Sequence, residues 1–160
     1  MFCRHAMSTD VITAGPDQTI RDALALLARH RIRAVPVVDA EGHLVGQFGL
    51  DAMLASLLPT ALTVDHHDMM NVNMRLDYLL DATPNVAKHL HDLLPMALSS
   101  VMNTKVQVVH RDTPLWEGIR LLVQQGSPIP VVDETSHALV GLLSSQGATG
   151  RLMELIGESR

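Results

Sequence analysis

The residues best suited to metal chemistry are histidines and an aspartate in the middle of the chain. His66, His67 and Asp68 stand together in a polar segment, and His89 and His91 follow it. A zinc site needs several such ligands around one ion. Adjacent histidines rarely chelate a single ion well, and histidines at positions i and i+2 diverge on a helix. The spacing therefore favours a solvated loop, and we predict no metal site.

Nucleophilic catalysis has equally little support in the sequence. Cys3 is the only cysteine, which excludes an internal disulfide and a CxxC pair. We expect it to lie in a mobile terminus, without a histidine partner. The chain contains no Gly-rich phosphate loop and no GxSxG motif. The sequence therefore predicts a protein that is not an enzyme.

Composition and charge limit the partners of this chain. Its 160 residues include 12 basic and 17 acidic ones, for a formal charge of −5, which argues against a nucleic-acid partner. Aromatic residues make up 2%, so stacking platforms for single-stranded nucleic acid are absent. No stretch approaches the roughly 18 apolar residues of a membrane span, and the start lacks the apolar run of a signal peptide. We expect a soluble, cytoplasmic protein.

An internal repeat is the strongest signal in the chain. The words Met7-Ser-Thr-Asp-Val11, Ala34-Val-Pro-Val-Val-Asp39 and Gly46-Gln-Phe-Gly49 return as Met102-Asn-Thr-Lys-Val106, Pro128-Ile-Pro-Val-Val-Asp133 and Gly141-Leu-Leu-Ser144. Position 102 less position 7 gives an offset of 95, and the other words keep an offset of 94 or 95. Such a duplication builds an object with approximate twofold symmetry, whose useful surface is the cleft between its halves. One copy of about 50 residues would be marginal alone, so the halves should need each other.

The hydrophobic periodicity changes in the same order within each copy. In the first copy it predicts an extended segment at 11–14, a helix after the cap Thr19, strands at 34–38 and 43–48, and a helix at 51–58. In the second copy it predicts an extended segment at 106–109, a helix at 115–124, strands at 129–132 and 138–143, and a helix at 148–156.

This repeated β-α-β-β-α order resembles the CBS domain, named after cystathionine β-synthase, which nearly always occurs as a tandem pair. The resemblance rests on the repeated words and covers about two-thirds of the chain. It implies an α/β (α+β) fold in which two repeats pack with pseudo-twofold symmetry, with a helical insertion between them. We place the first repeat at 1–58, the insertion at 59–99 and the second repeat at 100–160.

The resemblance also implies a function. Many CBS pairs bind AMP, ATP or S-adenosylmethionine in the clefts between their repeats and serve as sensors for a partner protein. We therefore expect a non-catalytic regulatory module that binds an adenosyl ligand and forms a homodimer, a disc of four CBS lobes. The helices at 51–58 and 148–156 are candidates for the dimer seam. Because no output domain is recognisable, the output should act in trans, through a ligand-biased shift of population.

The family's ribose-binding word places a hydroxyl, and three residues later a carboxylate, where a strand turns into a helix. In the first copy these positions hold Gly49 and Ala52, with Asp51 one residue early, which is about 100° around a helix. The second copy keeps the hydroxyl at Ser144 and has Gly147 in place of the carboxylate. Ser144 could cap the last helix or contact the ligand. We interpret Asp51 first as a cap or first-turn residue of its helix.

Further cleft residues follow from the same resemblance. Pro36 and Pro130 shape their strands and flank the clefts, and Ile129 precedes the second proline. Thr13 and Val108 occupy equivalent places in the extended segments, where the family often contacts the base through backbone atoms. With Ser144 and Asp51, these residues complete the predicted ligand-binding set.

The segment from Ala55 to Ser100 has no counterpart in the other copy and is too long for a simple connection. It contains two predicted helices, at 76–80 and 86–94. Its residues Met69, Met70 and Met74 suit core or dimer contacts, or an adaptable partner surface. The alternative function is therefore a ligand-free interaction or scaffold module, whose clefts have lost their ligand residues and whose insertion is the docking surface.

Overall fold

Two β-hairpins, each flanked by helices, form the framework of the protein. The computed structural model describes residues 1–58 and 83–158. One antiparallel sheet contains β1 (Ala34–Val38) and β2 (Leu44–Gly49), and the other contains β3 (Ile129–Val132) and β4 (Leu139–Leu143). The helices are α1 (Ile20–His30), α2 (Leu50–Leu57), α3 (Thr83–Leu93), α4 (Leu115–Gln125) and α5 (Ser145–Leu155). The predicted fold class is confirmed.

Helix α1 shows how the sequence pattern sets a helix and its buried face. The Thr19 hydroxyl accepts a hydrogen bond from the N–H of Asp22 at 3.1 Å, which confirms the predicted cap. Ile20, Ala23 and Leu27 follow at helical spacing and are buried against the hairpin of the first repeat. Burial of this apolar stripe fixes the helix on its sheet.

The extended segments at 11–14 and 106–109 contribute less to the sheets than strands would. Ala14 makes a parallel bridge to Val37, and Val109 makes the equivalent bridge to Val131. Both hairpins also change register at the same place, between residues 37 and 38 and between residues 131 and 132. The two copies therefore share their local irregularities as well as their order of elements.

Each hydrophobic core is completed by the segment that precedes the other repeat. Cys3 is fully buried in the core of the second repeat, and its N–H donates to the carbonyl of Thr113 at 2.8 Å. Leu98 is fully buried in the core of the first repeat, and its N–H donates to the carbonyl of Gln18 at 2.8 Å. The expectation that Cys3 lies in a mobile terminus is therefore wrong, because the first residues serve as a core element.

Helix α3 joins the end of the insertion to the first repeat. Leu90, Leu93 and Leu94 pack against the first core, and the N–H of Arg21 donates to the carbonyl of Leu94 at 3.1 Å. The predicted helix at 76–80 lies outside the described residues. So do the side chains of the insertion loop that were singled out from the sequence, which are His66, His67, Asp68, Met69, Met70 and Met74. The repeat boundaries stay a prediction. Within the described residues, no helix has the length and apolar character needed to cross a membrane.

Candidate functional site

Reciprocal backbone pairs join the two repeats. Ser8 and Leu142 exchange N–H to carbonyl hydrogen bonds in both directions, each 2.9 Å long. Asn103 and Gln47 do the same, also at 2.9 Å. Positions 8 and 103 are 95 apart, as are 47 and 142, so each pair is the symmetry copy of the other. The predicted pseudo-twofold arrangement is present in these hydrogen bonds.

The hairpin turns meet on the pseudo-twofold axis. The N–H of Leu44 donates to the carbonyl of His137 at 3.2 Å, and the N–H of Leu139 donates to the carbonyl of Gly42 at 3.1 Å. Between these bonds, residues 43 and 138 form a bridge and are themselves 95 apart. A pair that is its own symmetry copy must lie on the axis. We call this set of contacts, with the two pairs above, the junction.

Glycines allow the strands to approach closely at the junction. A side chain at Gly46 would place its first carbon 2.8 Å from the sulfur of Met102. At Gly141 that carbon would lie 2.7 Å from the carbonyl oxygen of Ser8. Carbon atoms do not come so close to backbone oxygen, so the glycine is needed for packing at position 141, whereas a side chain at position 46 would require Met102 to move. The word marks the junction as well as the ligand cleft that the resemblance implies.

Two hydroxyls lie at the corner where β4 turns into α5. The Ser144 hydroxyl accepts from the N–H of Gly147 at 2.9 Å and is the N-cap of α5. The Ser127 hydroxyl accepts from the N–H of Ser145 at 3.1 Å. The helix therefore begins at Ser145, three residues before the predicted start at Ala148, because the capped turn extends it. We call these two hydroxyls and the first turn of α5 the second-repeat corner.

The other predicted cleft residues of the second repeat surround this corner. Ile129 pairs with Leu143, directly before Ser144, and is fully buried. Pro130 is buried, and its carbonyl accepts a hydrogen bond from the N–H of Val109, the residue after Val108, at 3.0 Å. Val108 itself is half-buried. The structure thus gathers Val108, Ile129, Pro130 and Ser144 in one region, although the buried residues offer no open side-chain surface there.

The first repeat has a weaker corner. Gly49 occupies the N-cap position of α2, where it has no side chain to accept a capping hydrogen bond. Asp51 is exposed in the first turn of that helix. The first-turn interpretation of Asp51 is confirmed, and the cap interpretation is wrong because Gly49 holds that place. Pro36 is buried in β1 and Thr13 is exposed in the extended segment. Ligand contacts by the whole predicted set stay a prediction.

Packing explains the missing carboxylate at the second-repeat corner. A first side-chain carbon at Gly147 would lie 2.6 Å from the carbonyl oxygen of Ala6 and 3.2 Å from the Ser144 hydroxyl. Backbone cannot yield as a flexible side chain can, so any larger residue here must displace the N-terminal segment. The absence of an aspartate at this position follows from the path of residues 1–8.

Sequence reasoning missed two polar groups near the second-repeat corner. The Gln47 side-chain amide crosses from the first repeat and donates to the carbonyl of Pro128 at 3.4 Å. Ser127, directly before this proline, supplies the second hydroxyl. A signal for Gln47 existed, since it occupies a position that the family word fills with an apolar residue. Ser127 gave no comparable signal, because a serine before proline is typical of any turn.

Two equivalent aspartates sit in the hairpin turns, and hydrogen bonds hold both ionised. The backbone N–H groups of His43 and Glu41 keep the pKa of Asp39 below its ordinary value, the former contributing most. Bonds from Ser136 and Thr135 lower the pKa of Asp133 in the same way. Each carboxylate is therefore a fixed negative charge next to the junction.

The metal interpretation gains nothing from the described residues. His89 and His91 are exposed on α3. Across residues 1–58 and 83–158, no group of three or more histidine, cysteine or acidic side chains is placed to hold an ion.

Comparison with known sequences identifies the repeats. A family profile for the CBS domain matches residues 3–58 and 98–152. The chain is similar to inosine-5'-monophosphate dehydrogenase of Halobacterium salinarum, with 49% identity over 51 residues, which is 32% of this chain and 10% of the enzyme. It is also similar to a CBS domain-containing protein of Bacillus subtilis, YhcV, with 40% identity over 42 residues, or 26% of this chain and 29% of that protein. The matched segments span 8% to 29% of the curated relatives.

Comparison with solved structures extends over nearly the whole chain. The CBS-pair protein CBSX2 from Arabidopsis thaliana superposes with a TM-score of 0.72 and 23% identity, covering 99% of this chain and 98% of that one. A CBSX2 structure in complex with AMP gives a TM-score of 0.69 at 21% identity, covering 97% and 98%. A CBS domain pair in complex with 5-methylthioadenosine and S-adenosyl-L-methionine gives 0.61 at 23%, covering 96% and 99%.

Proposed function

Because the chain belongs to the CBS domain family, we propose that it is a non-catalytic regulatory module that binds an adenosyl ligand between its repeats and signals to a partner protein in trans. The ligand would be AMP, ATP or S-adenosylmethionine. The observation that carries this proposal is the junction, in which reciprocal backbone pairs hold two CBS repeats around a pseudo-twofold axis. Proteins of similar fold have been solved with AMP and with S-adenosyl-L-methionine.

The second-repeat corner is the better candidate of the two for the ligand. Its hydroxyls at Ser144 and Ser127 accept backbone N–H bonds, and each keeps its own O–H to donate. The start of an 11-residue helix favours negative charge. A phosphate or a ribose hydroxyl would therefore find donors there. At the first-repeat corner, Gly49 and Ala52 supply no polar side chain.

Regulation requires the ligand to bind one arrangement of the repeats more tightly than another. Gln47 gives a route for this coupling, because it belongs to β2 and its side chain reaches Pro128 of the second repeat. A ligand at the second-repeat corner that also engaged Gln47 would hold both repeats at once. A partner protein could then respond to the changed junction.

The exposed apolar side chains of α2 and α5 support the homodimer. They are Leu54 (53% exposed) and Leu58 (43%) at the first helix, and Leu152 (44%), Met153 (39%), Leu155 (61%) and Ile156 (73%) at the second. We propose these as the seam of the disc. Light scattering of the wild type should give twice the monomer mass. Leu155→Glu should give monomers, whereas Val123→Glu on α4 should leave the dimer intact.

The alternative is a ligand-free interaction or scaffold module that docks partners through the insertion at 59–99. The packing around Gly147 favours it, because the carbonyl of Ala6 blocks the place of the family's carboxylate. The first-repeat corner lacks both the hydroxyl and the carboxylate, at Gly49 and Ala52. In this case the repeats would serve only as a rigid frame.

Isothermal titration of the full chain with AMP, ATP and S-adenosylmethionine tests the proposal, after denatured protein has been checked for released nucleotide by absorbance. Saturable binding at one or two sites per chain supports the sensor. Ser127→Ala should weaken that binding, while the control Ser100→Ala, which removes an exposed hydroxyl bonded to its own turn, should not. An absence of binding by all three ligands would favour the scaffold.

A further inference from the structure

The first repeat carries an open depression that the adenosyl cleft does not explain. Its volume is about 410 Å³, and the loop before α1 and the start of the hairpin turn line it. The lining residues are Thr13, Ala14, Gly15, Pro16, Asp17, Gln18, Val38, Asp39 and Ala40. Two carboxylates are the only charged groups in this lining. Apart from Thr13, the lining shares nothing with the predicted ligand-binding set.

The second repeat contains the equivalent loop and turn, so the two copies can be compared at this position. The N–H of Ala14 donates to the carbonyl of Pro36, and the N–H of Val109 to that of Pro130, both at 3.0 Å. Each loop also accepts an equivalent backbone hydrogen bond from the segment that precedes the other repeat. The N–H of Ser99 donates to the carbonyl of Pro16 at 3.1 Å, and the N–H of Arg4 donates to the carbonyl of Arg111 at 3.0 Å. The two loops therefore share one backbone path, and position 16 corresponds to position 111.

In the second repeat, arginines neutralise both equivalent aspartates. The guanidinium of Arg111 lies 3.9 Å from the Asp133 carboxylate. Arg4, from the N-terminal segment, donates to the carboxylate of Asp112. Asp133 corresponds to Asp39, and Asp112 corresponds to Asp17.

The first repeat keeps both aspartates and lacks both arginines. Pro16 stands at the position of Arg111, and Ser99 stands at the position of Arg4. Among residues 1–58 and 83–158, no lysine or arginine forms an ion pair with Asp17 or Asp39 within 4.0 Å. The positions of two arginine side chains are therefore vacant beside these carboxylates, and within 4.0 Å of Asp39 the described residues place only the ring of His43 as a basic group.

A third side chain is missing from the same loop. In the second repeat, Nδ1 of the His110 ring lies 3.1 Å from the carbonyl oxygen of Val132. The equivalent residue is Gly15, which has no side chain to place against the carbonyl of Val38. The depression is therefore lined by Val38 at a position where the other copy has a histidine ring over the equivalent residue.

Asp39 is prearranged to receive a cation. One carboxylate oxygen accepts the N–H groups of Glu41 and His43, each at 2.9 Å, which fixes the side chain. The other oxygen lies 3.4 Å from Nδ1 of the His43 ring. In Asp133 the equivalent oxygen is the one that faces Arg111. Little reorganisation is needed for a donor group to replace the missing arginine.

We infer that this depression is a binding site for a guanidinium group, the chemistry that Arg111 and Arg4 supply to the equivalent aspartates. The guanidinium can belong to a free amino acid or to an arginine side chain of a partner polypeptide. Exposed ion pairs contribute up to about 1 kcal/mol each, so two of them give about 2 kcal/mol at most, and we expect an affinity on the order of 10–100 mM for the free group. The site does not depend on adenosyl binding.

Amide NMR spectra of the full chain, recorded during titration with L-arginine, test the site. L-citrulline is the matched control, since it has the same length and a neutral urea group. Arginine alone should shift the amides of Gly15, Gln18 and Ala40, with saturation. Equal shifts from citrulline would overturn the inference. N-acetyl-arginine amide distinguishes the sources: equal affinity indicates recognition of a polypeptide side chain, and weaker binding indicates a free amino acid.

Two variants use this comparison between the copies. Pro16→Arg installs the arginine of the second repeat and should abolish the arginine-dependent shifts. Arg111→Ala should create a second set of shifts around Asp133, whereas the control Arg120→Ala, which removes an exposed arginine of α4, should not. Melting curves check that each variant is folded. Retained binding in Pro16→Arg, or no second set in Arg111→Ala, would show that the aspartates do not recruit a guanidinium.

Discussion

Substitution of Ser144 by alanine separates the structural role of this hydroxyl from its proposed role in ligand binding. The hydroxyl caps α5 through a 2.9 Å bond from the N–H of Gly147. Loss of an N-cap costs about 0.5–2 kcal/mol. Gly147 is only partly exposed and faces the backbone of Ala6, so water replaces the lost acceptor incompletely. We therefore expect a loss of about 1.5 kcal/mol from the free energy of unfolding.

Urea and thermal unfolding of the ligand-free protein measure this loss. For a chain of this size, 1 kcal/mol corresponds to about 2–4 °C in Tm, so Ser144→Ala should melt about 3–6 °C below the wild type. Thr19→Ala removes the equivalent cap of α1 and serves as the positive control. Ser144→Asp keeps a capping oxygen and should stay within about 0.5 kcal/mol of the wild type.

The same variants then separate stability from binding. If the hydroxyl donates to the ligand, Ser144→Asp should lose adenosyl affinity while it keeps its stability, because an ionised carboxylate accepts the cap bond and has no proton to donate. An unchanged midpoint for Ser144→Ala, beside a clear loss for Thr19→Ala, would refute the argument that the cap stabilises α5. Unchanged affinity in Ser144→Asp would remove this hydroxyl from the proposed site.

Three further predictions concern the packing and the charges. Gly147→Ala should lower the free energy of unfolding by about 1–3 kcal/mol in urea titrations, because its new carbon meets the carbonyl of Ala6 at 2.6 Å; stability equal to the wild type would show that residues 1–8 yield easily. The folded pKa of Asp133 is lowered, so its stabilisation is present above the unfolded pKa of about 3.9 and is lost as the pH falls through the folded pKa. The wild type should therefore exceed Asp133→Asn in stability at pH 6, and this advantage should shrink progressively as the pH is lowered from about 4 toward about 2; a difference that does not vary with pH would contradict the assignment. Burial, with a smaller effect of the Glu117 carboxylate, raises the pKa of the Cys3 thiol, so a disulfide reagent at pH 8 should label the folded protein much more slowly than the unfolded one; equal rates would place Cys3 at the surface.

The sequence alone predicts most of the architecture, because the repeat constrains each copy by the other. The strands at 34–38 and 129–132 have the predicted bounds, and the strand at 139–143 differs from its predicted range by one residue. Two helix starts differ more, since α5 begins at Ser145 and not at Ala148, and α3 begins at Thr83 and not at Val86. Ser145 and Gly147 have poor helix propensity, and the Ser144 cap overrides it at the start of α5.

Sequence reasoning fails where a segment packs against the other repeat. A repeat period gives the order of elements in one copy, but it does not state which copy buries a given segment. Cys3 looks like part of a free terminus for this reason, although it and Leu98 occupy equivalent places in the two cores. The pairing of Arg4 with Asp112 was hidden by the same exchange, since it joins positions 108 residues apart.

The strength of the junction sets how much work a ligand must do to change it. The six backbone hydrogen bonds of Ser8, Leu142, Gln47, Asn103, and the two turn contacts contribute about 0.5–1.5 kcal/mol each, or roughly 3–9 kcal/mol together. Reversal of a two-state population from 1:99 to 99:1 needs a difference of about 5.5 kcal/mol in ligand binding. A ligand with a Kd of about 1 μM gains about 8 kcal/mol in total. Most of that energy must therefore come from contacts made in only one arrangement.

Contacts confined to the second-repeat corner cannot supply it, since they move with that repeat. The energy for a switch has to come from contacts across the junction, which is where Gln47 lies.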